Sequence, residues 1–347
     1  MKVIVELQES DLNDIEKLIS EGKISSISAF ISLAIRNQIM IEEGQTATPS
    51  LDSYFSAQKS EPPITLEKKY PIGEVQTVNE IDVFDEFPFW ATQNKYLCLK
   101  QITLDFSSLV EEEDTLWLRY DIVMNRILQE AVKTRKRFEK IDKHFHRGRG
   151  MKLSTGFPKN DSKSTSRYEK QFIGGIDGKG RKYGLAVEIG FLDVRSTEAN
   201  RIEFALTDMG LAFSKLHSYV MDKNISDLDP TTPPLCEEEV QFILSILEKR
   251  KQTEVELMKF TLNYINDGKN HPEDGASITK EYLDKRYPEI SISKSGNGFS
   301  LSESETIRAG VVSRMNELGL ISIQKNGLKS NYLITNKGSD FLTEGRK

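Results

Sequence analysis

The chain has 347 residues, 37% of them apolar, with 47 Lys and Arg against 53 Asp and Glu, a net charge of -6. That length holds roughly two or three domains. Two widely separated cysteines, Cys98 and Cys236, argue against a disulfide scaffold and fit a reducing cytoplasm, and no apolar run approaches the ~18–20 residues of a membrane span.

The opening MKVIVELQESD turns acidic too early for a secretory signal. Within it, Val3, Val5 and Leu7 share one face of a short strand by their period of two. Ser10 then caps a helix carrying Leu12, Ile15, Leu18 and Ile19 at helical spacing, and Gly22 stops it. Ser25 or Ser26 caps a second helix, with Ile27, Phe30, Ile31, Ala34 and Ile35 on its apolar face. One strand and two short helices bury little alone, so residues 1–44 need a partner chain. The order of elements and the stretch EGKISSISAFISLAIRNQI resemble the ribbon-helix-helix family. The resemblance implies a homodimer whose strands pair through Val3, Val5 and Leu7, with the outward residues of the ribbon entering the DNA major groove. Here the outward set is Lys2, Ile4 and Glu6, and residues 1–46 hold four basic residues against eight acids, a balance that repels phosphate. Dimerisation is therefore the stronger implication.

Residues 45–82, rich in Ser, Thr, Pro and Lys and without a sustained period, read as a flexible linker. Aromatic residues return at Phe84, Phe87, Phe89, Trp90 and Tyr96, and a folded core is expected from about Val83. From Asp114 to Phe145 there is no Gly or Pro, and Leu116, Tyr120, Val123, Ile127, Leu128, Ala131 and Phe138 keep a helical stripe, predicting one long helix or two in succession. The second half of that stretch begins a basic block. Between Lys133 and Lys182 sixteen Lys and Arg face five acids, a net of +11, which leaves 31 basic residues and 48 acids, -17, in the rest of the chain. Such segregation costs self-repulsion that a polyanionic partner would offset.

The chain repeats a half-motif. GFLDVRSTEANRIEFALTDMGLAF (190–213) and GLISIQKNGLKSNYLITNKGSDFL (319–342) each start with a Gly suited to ending a helix. Each continues with two short alternating strands around a polar turn, and closes on Thr-x-x-Gly, at Thr207–Gly210 and Thr335–Gly338. A hairpin between two helices resembles the wing of a winged-helix domain, over about Ser108–Tyr219 and Glu237–Thr343. The resemblance implies a groove-entering helix before each wing: GKGRKYGLAVEIG in the first copy, weakened by Gly180 and Gly184, and SETIRAGVVSRMNELGL in the second. The fold class expected is mainly α with small β elements. It comprises a ribbon-helix-helix module (1–44), a linker (45–82) and tandem winged-helix domains (83–228 and 236–347).

Lys163, Arg167 and Lys170 fall at i, i+4 and i+7 on one face of a predicted helix, with Ser162, Ser164, Thr165 and Ser166 near its start. Cations and hydroxyls at a helix N-terminus suit phosphate. A solvated helix face is the plain alternative. The other candidate DNA contacts of the first copy are Lys133, Arg135, Lys136, Arg137, Lys179, Arg181 and Lys182 in the block, and Arg195 and Arg201 on the wing. In the second copy they are Arg308 and Arg314 on the helix and Lys325 and Lys329 on the wing. His144 and His146 in HFH are similar to the metal site of rolling-circle nucleases, but they follow a basic helix and precede RGRG without a strand pattern. The cysteines have no Cys/His neighbours at zinc spacing, and no nucleotide-binding glycine loop occurs. The expectation is a non-enzymatic, cofactor-free cytoplasmic protein that binds double-stranded DNA as a homodimer and regulates transcription. A replication initiator or partition protein, and a scaffold whose winged helices bind proteins, remain alternatives.

Overall fold

Helix α1 (Leu97–Glu113) is the centre of the first half: every residue between Leu97 and Val110 except Ser108 is buried. The enclosure takes in polar residues as well as apolar ones, among them Lys100, Gln101, Thr103, Asp105 and Ser107. The computed structural model describes residues 75–79, 85–148, 150–269, 272–290, 298–326 and 329–343, all within the unit Leu66–Lys347. The expected module 1–44, with Val3, Val5 and Leu7, lies outside the described residues. So does most of the expected linker, but its residues Val75–Asn79 are described and are docked. Val78 bridges Thr207, donating to Leu206 O (2.9 Å) and accepting from Asp208 N (3.1 Å), while Val75 is buried.

The remaining elements of this half wrap α1. A two-residue strand β1 (Leu118–Arg119) leads into α2 (Tyr120–His144), whose buried stripe is Val123, Met124, Ile127, Ala131, Phe138 and Ile141. Val123, Ile127, Ala131 and Phe138 of the expected stripe are buried and the helix is single, but Leu116 precedes it, Tyr120 is exposed and Leu128 is only partly buried. Leu118 and Arg119, however, leave the helix to pair with Phe204 and Glu203. Next come α3 (Ser162–Tyr168), a π-helical turn (Glu169–Ile173), strands β2 (Gly175–Ile176) and β3 (Lys182–Tyr183), and the four-residue α4 (Leu185–Glu188). Strands β4 (Leu192–Ser196) and β5 (Ile202–Leu206) form a hairpin, followed by α5 (Asp208–Lys215) and α6 (Tyr219–Asp222). The sheet order is β1-β5-β4, antiparallel throughout.

The second half begins with α7 (Glu237–Arg250), α8 (Gln252–Asn266) and α9 (Pro272–Arg286). Then α10 (Leu301–Glu317), opened by a Ser300/Glu303 capping box, leads into the hairpin β6 (Ile321–Asn326) and β7 (Lys329–Ile334), and α11 (Asn336–Thr343) is the last described element. Within this half α10 packs on α8 and α9. The architecture is mainly helical with small sheets.

The repeated half-motif has one physical job in both places. The Thr207 hydroxyl donates to Gly190 O (2.7 Å) and accepts from Gly210 N (3.0 Å). The Thr335 hydroxyl donates to Gly319 O (2.6 Å) and accepts from Gly338 N (3.1 Å). Each threonine thus caps the last helix and ties it to the start of its hairpin. Each closing glycine lies against a carbonyl, so that a Cβ on Gly210 would sit 2.2 Å from Phe191 O and one on Gly338 would sit 2.1 Å from Leu320 O.

The two halves meet over buried charge. Arg314 on α10 is fully buried (0% exposed). Its Nε donates to Glu254 Oε1 (2.7 Å) and a terminal nitrogen to Glu254 Oε2 (3.0 Å), while the other terminal nitrogen reaches Gln93 O (2.9 Å). Glu254 also accepts from Phe89 N (3.0 Å). Glu317 accepts from the backbone N–H groups of Tyr96 and Leu97 at the start of α1, and burial pushes its carboxyl above the ordinary value. Gly310 lies against the backbone of Ala91, where a Cβ would come within 2.6 Å of Ala91 Cα.

A second buried cation braces the first half. Lys100 Nζ donates to the carbonyls of Phe213 (2.9 Å), Ser214 (3.0 Å) and Leu216, the open end of α5, and lies 3.9 Å from Glu239. Burial pushes the Glu239 carboxyl up to about 7 from its ordinary 4.5, against the opposing pull of the Cys236 N–H and Lys100. Between those values the folded chain holds a proton there that the unfolded chain has released, so this group lowers stability as pH rises from about 4.5 to 7. Glu239→Gln keeps an acceptor for Cys236 N and removes the titration. Thermal melts from pH 5 to pH 8 are expected to give a flatter Tm profile for the variant. Parallel profiles for variant and parent would refute this assignment.

Candidate nucleic-acid interface

The triplet expected on one helix face is exposed. Lys163 and Arg167 lie on α3, Lys170 on the π-helical turn, and none of the three takes part in an ion pair among the described residues. The wider turn, with i→i+5 bonding, sets Lys170 further back around the axis than an α-helix would. The expected hydroxyl cradle is already occupied. Asp161 caps α3 by accepting from Ser164 N (2.8 Å), Thr165 donates to Asp161 O (3.0 Å), and Ser164 Oγ accepts from Lys159 N (2.8 Å). A carboxylate already sits where a phosphate was expected, so the usable feature is the cationic side of this segment.

GKGRKYGLAVEIG is not a groove-entering helix. Its first part closes a β2–β3 hairpin and only Leu185–Glu188 is helical. The glycines explain this: Gly174 and Gly184 touch backbone to backbone, and a Cβ on Gly184 would lie 2.2 Å from Gly174 Cα. Asp177 shapes the tip by accepting from Lys179 N (2.8 Å) and Arg181 N (2.9 Å), and these bonds hold its carboxyl below the usual range. Lys179 stands exposed at this tip beside Arg181, which pairs with Asp177, while Lys182 pairs with Asp193 on β4.

On the β4–β5 hairpin Arg195 pairs across the strands with Glu203 (2.7 Å) and lies over the Trp117 ring at 3.9 Å. Arg201 is exposed beside the turn. Lys133 is exposed and pairs with Glu130 (2.7 Å), and Lys136 is exposed. Surface pairs of this kind contribute only ~0–1 kcal/mol, so their cations remain available to a polyanion.

Four expected contacts are structural instead. Arg137 is 6% exposed and donates to the carbonyls of Val220 and Lys223, and burial lowers its pKa despite nearby Asp222. Arg135 is held by Glu139 (2.7 Å) and by the carbonyls of Ser154 and Phe157. Arg308, 3% exposed, reaches Tyr332 Oη (3.2 Å). Arg314 is the buried brace between the halves. The outward residues of α10 are Leu301, Ser302, Glu303, Glu305, Thr306 and Ala309, which carry acids and no cation. Lys325 and Lys329 stand in register opposite Ser330 and Asn326 on the β6–β7 hairpin.

His144 ends α2 with its ring against Phe145, and His146 follows in a left-handed turn (φ 50°), so neither lies on a strand. Among the described residues no His, Cys, Asp or Glu cluster suited to a metal occurs. Sequence reasoning missed the Trp117–Arg195 stack and the β2–β3 hairpin. The flanking glycines of GGIDGKGRKYG were the signal for the latter. No protein-family model, curated protein or solved structure matches the chain.

Proposed function

We propose that the protein is a dimeric regulator of transcription that binds duplex DNA through its first half. The observation that carries the reading is the exposed cationic surface of that half in an acidic chain: Lys163, Arg167, Lys170, Lys179, Arg181, Arg195 and Arg201 all reach solvent. Helices α1, α2 and α3 precede the β4–β5 hairpin, with the β2–β3 hairpin and α4 between them, and helices α7 to α10 precede the β6–β7 hairpin; a hairpin after helices in both halves supports a winged-helix reading. Residues 1–44, read as ribbon-helix-helix-like, join two chains. The reading is of a binding protein without cofactor, and the free cysteines Cys98 and Cys236 fit a cytoplasmic location. Among the described residues no helix is long and apolar enough to cross a membrane.

The acidic outward face of α10 favours a different role for the second half. It braces the first half rather than gripping phosphate, and it leaves a face for a protein partner.

The test is binding of the full chain to a random duplex pool at ~50 mM salt, followed by titration of the selected sequence at rising salt. With roughly six phosphate contacts, log K is expected to fall against log salt with a slope near -5, from ~0.9 per contact. The stoichiometry is expected to be two chains per site. No duplex binding at that salt would sink the proposal.

A further inference from the structure

The loop after α2 folds back to form a cleft of about 520 Å³ at the C-terminal end of that helix. Arg135, Lys143, Arg147 and Lys152 line it with His146, against two acids, Glu139 and Asp142. Both acids are already engaged. Glu139 holds Arg135 (2.7 Å), and Asp142 accepts from Leu153 N (2.9 Å), Ser154 N (3.0 Å) and the Ser154 hydroxyl (2.6 Å). Lys143 and Lys152 are exposed and have no acidic partner among the described residues.

Arg147 is the unusual member. It is 95% buried, at 5% exposure. Its terminal nitrogens reach only carbonyls, those of Asp229 and Thr232 (3.0 Å each) and Met151 (3.4 Å), and its Nε has no hydrogen-bond partner. Carbonyl dipoles satisfy donors but do not cancel a charge. A buried guanidinium with no carboxylate at hydrogen-bond distance carries a desolvation cost that a bound anion would offset. Burial accordingly holds its pKa below the ordinary arginine value, although Asp142 and Asp229 pull it up.

We propose that this cleft binds a small phosphorylated molecule of about mononucleotide size. Four permanent cations against two engaged acids leave a surplus of two charges, which matches a phosphate dianion, and guanidinium and ammonium donors suit its oxygens. The volume lies within the ~300–1,000 Å³ typical of small-ligand sites. A duplex backbone is convex and meets only the rim lysines, whereas Arg147 forms part of a recess. The site also adjoins the junction of the two halves. Asp229 and Thr232 lie on the segment that crosses from one half to the other, and Asn316 on α10 donates to Gly150 O (3.1 Å) in the same loop. Occupancy of the cleft therefore bears on how the halves are held. The proposal is independent of whether the chain binds DNA.

The experiment is calorimetric titration of the full chain, without DNA, with AMP, GMP, CMP, UMP, inorganic phosphate and the corresponding nucleosides. At least one monophosphate is expected to bind with Kd below ~1 mM, and its nucleoside is expected not to bind. Lys143→Ala with Lys152→Ala, both surface changes, is expected to weaken binding about tenfold or more through lost charge-assisted contacts while leaving Tm unchanged. Arg147→Lys, with its own melt recorded, tests the buried donor. No binding of any phosphate compound at ~10 mM, three powers of ten above a strong metabolite site, overturns the proposal. So does equal binding by the double lysine variant. In a final arm, duplex DNA is added to the nucleotide complex. Simple displacement of the nucleotide would assign the cleft to backbone contact and likewise overturn the small-ligand site.

Discussion

Arg314→Met is expected to destabilise the full chain by about 3–5 kcal/mol, because removing one partner of a buried pair strands the other. For a unit of this size that is a fall in Tm of roughly 10 °C. The variant leaves the Glu254 carboxylate, 0% exposed, with only the Phe89 N–H, and it frees the carbonyl of Gln93. Glu254→Gln is expected to cost less, since an amide still accepts from Phe89. Arg314→Met combined with Glu254→Met should recover much of the loss, because a buried pair replaced as a unit by apolar side chains is often neutral. Circular-dichroism melts of the three variants and of Glu254→Met, which closes the double-mutant cycle, make the comparison. An arginine poised for DNA would behave in the opposite way, with Tm within a degree or two of the parent and a selective loss of binding. That result would return Arg314 to the surface.

The second large effect is on salt dependence. Replacing Lys163, Arg167 and Lys170 together by Ala is expected to flatten the log K against log salt slope by up to ~3 units, at ~0.9 per lost phosphate contact. Binding to target and random DNA should weaken alike, since phosphate contacts position a protein without reading sequence. Tm should hardly move, because the three side chains are exposed. An unchanged slope would make this segment a solvated face and shift the interface to the cations of the β2–β3 and β4–β5 hairpins.

The hairpins were legible in the sequence because strict alternation around a polar turn, closed by Thr-x-x-Gly, has few other physical solutions. The long α2 was legible from its apolar stripe, although Leu118 and Arg119 were absorbed into it, since two residues are too few to show a period. The fate of the cations was the hard part. A count of charge along the chain does not distinguish Lys163, in water, from Arg137, spent on carbonyls. A subtler signal existed. Arg314 shares its helical stripe with Ile307, Val311 and Leu318, and Glu254 shares one with Met258, Thr261 and Leu262. A charge on each of two apolar stripes is the mark of a buried pair, but only the fold brings two such stripes together. The cleft after α2 was illegible for the same reason: its walls come from a helix, a loop and the crossing segment around residues 229–232.

The contacts between the halves also order events in time. Phe89 meets Glu254 across 165 positions of sequence, and Tyr96 meets Glu317 across 221. A ribosome adding roughly 5–20 residues per second delivers those partners some ten to forty seconds after the amides that need them. Until then water is the acceptor for the N–H groups of Tyr96 and Leu97 that Glu317 later takes. The first half can therefore complete these two contacts only once the last third of the chain has been made.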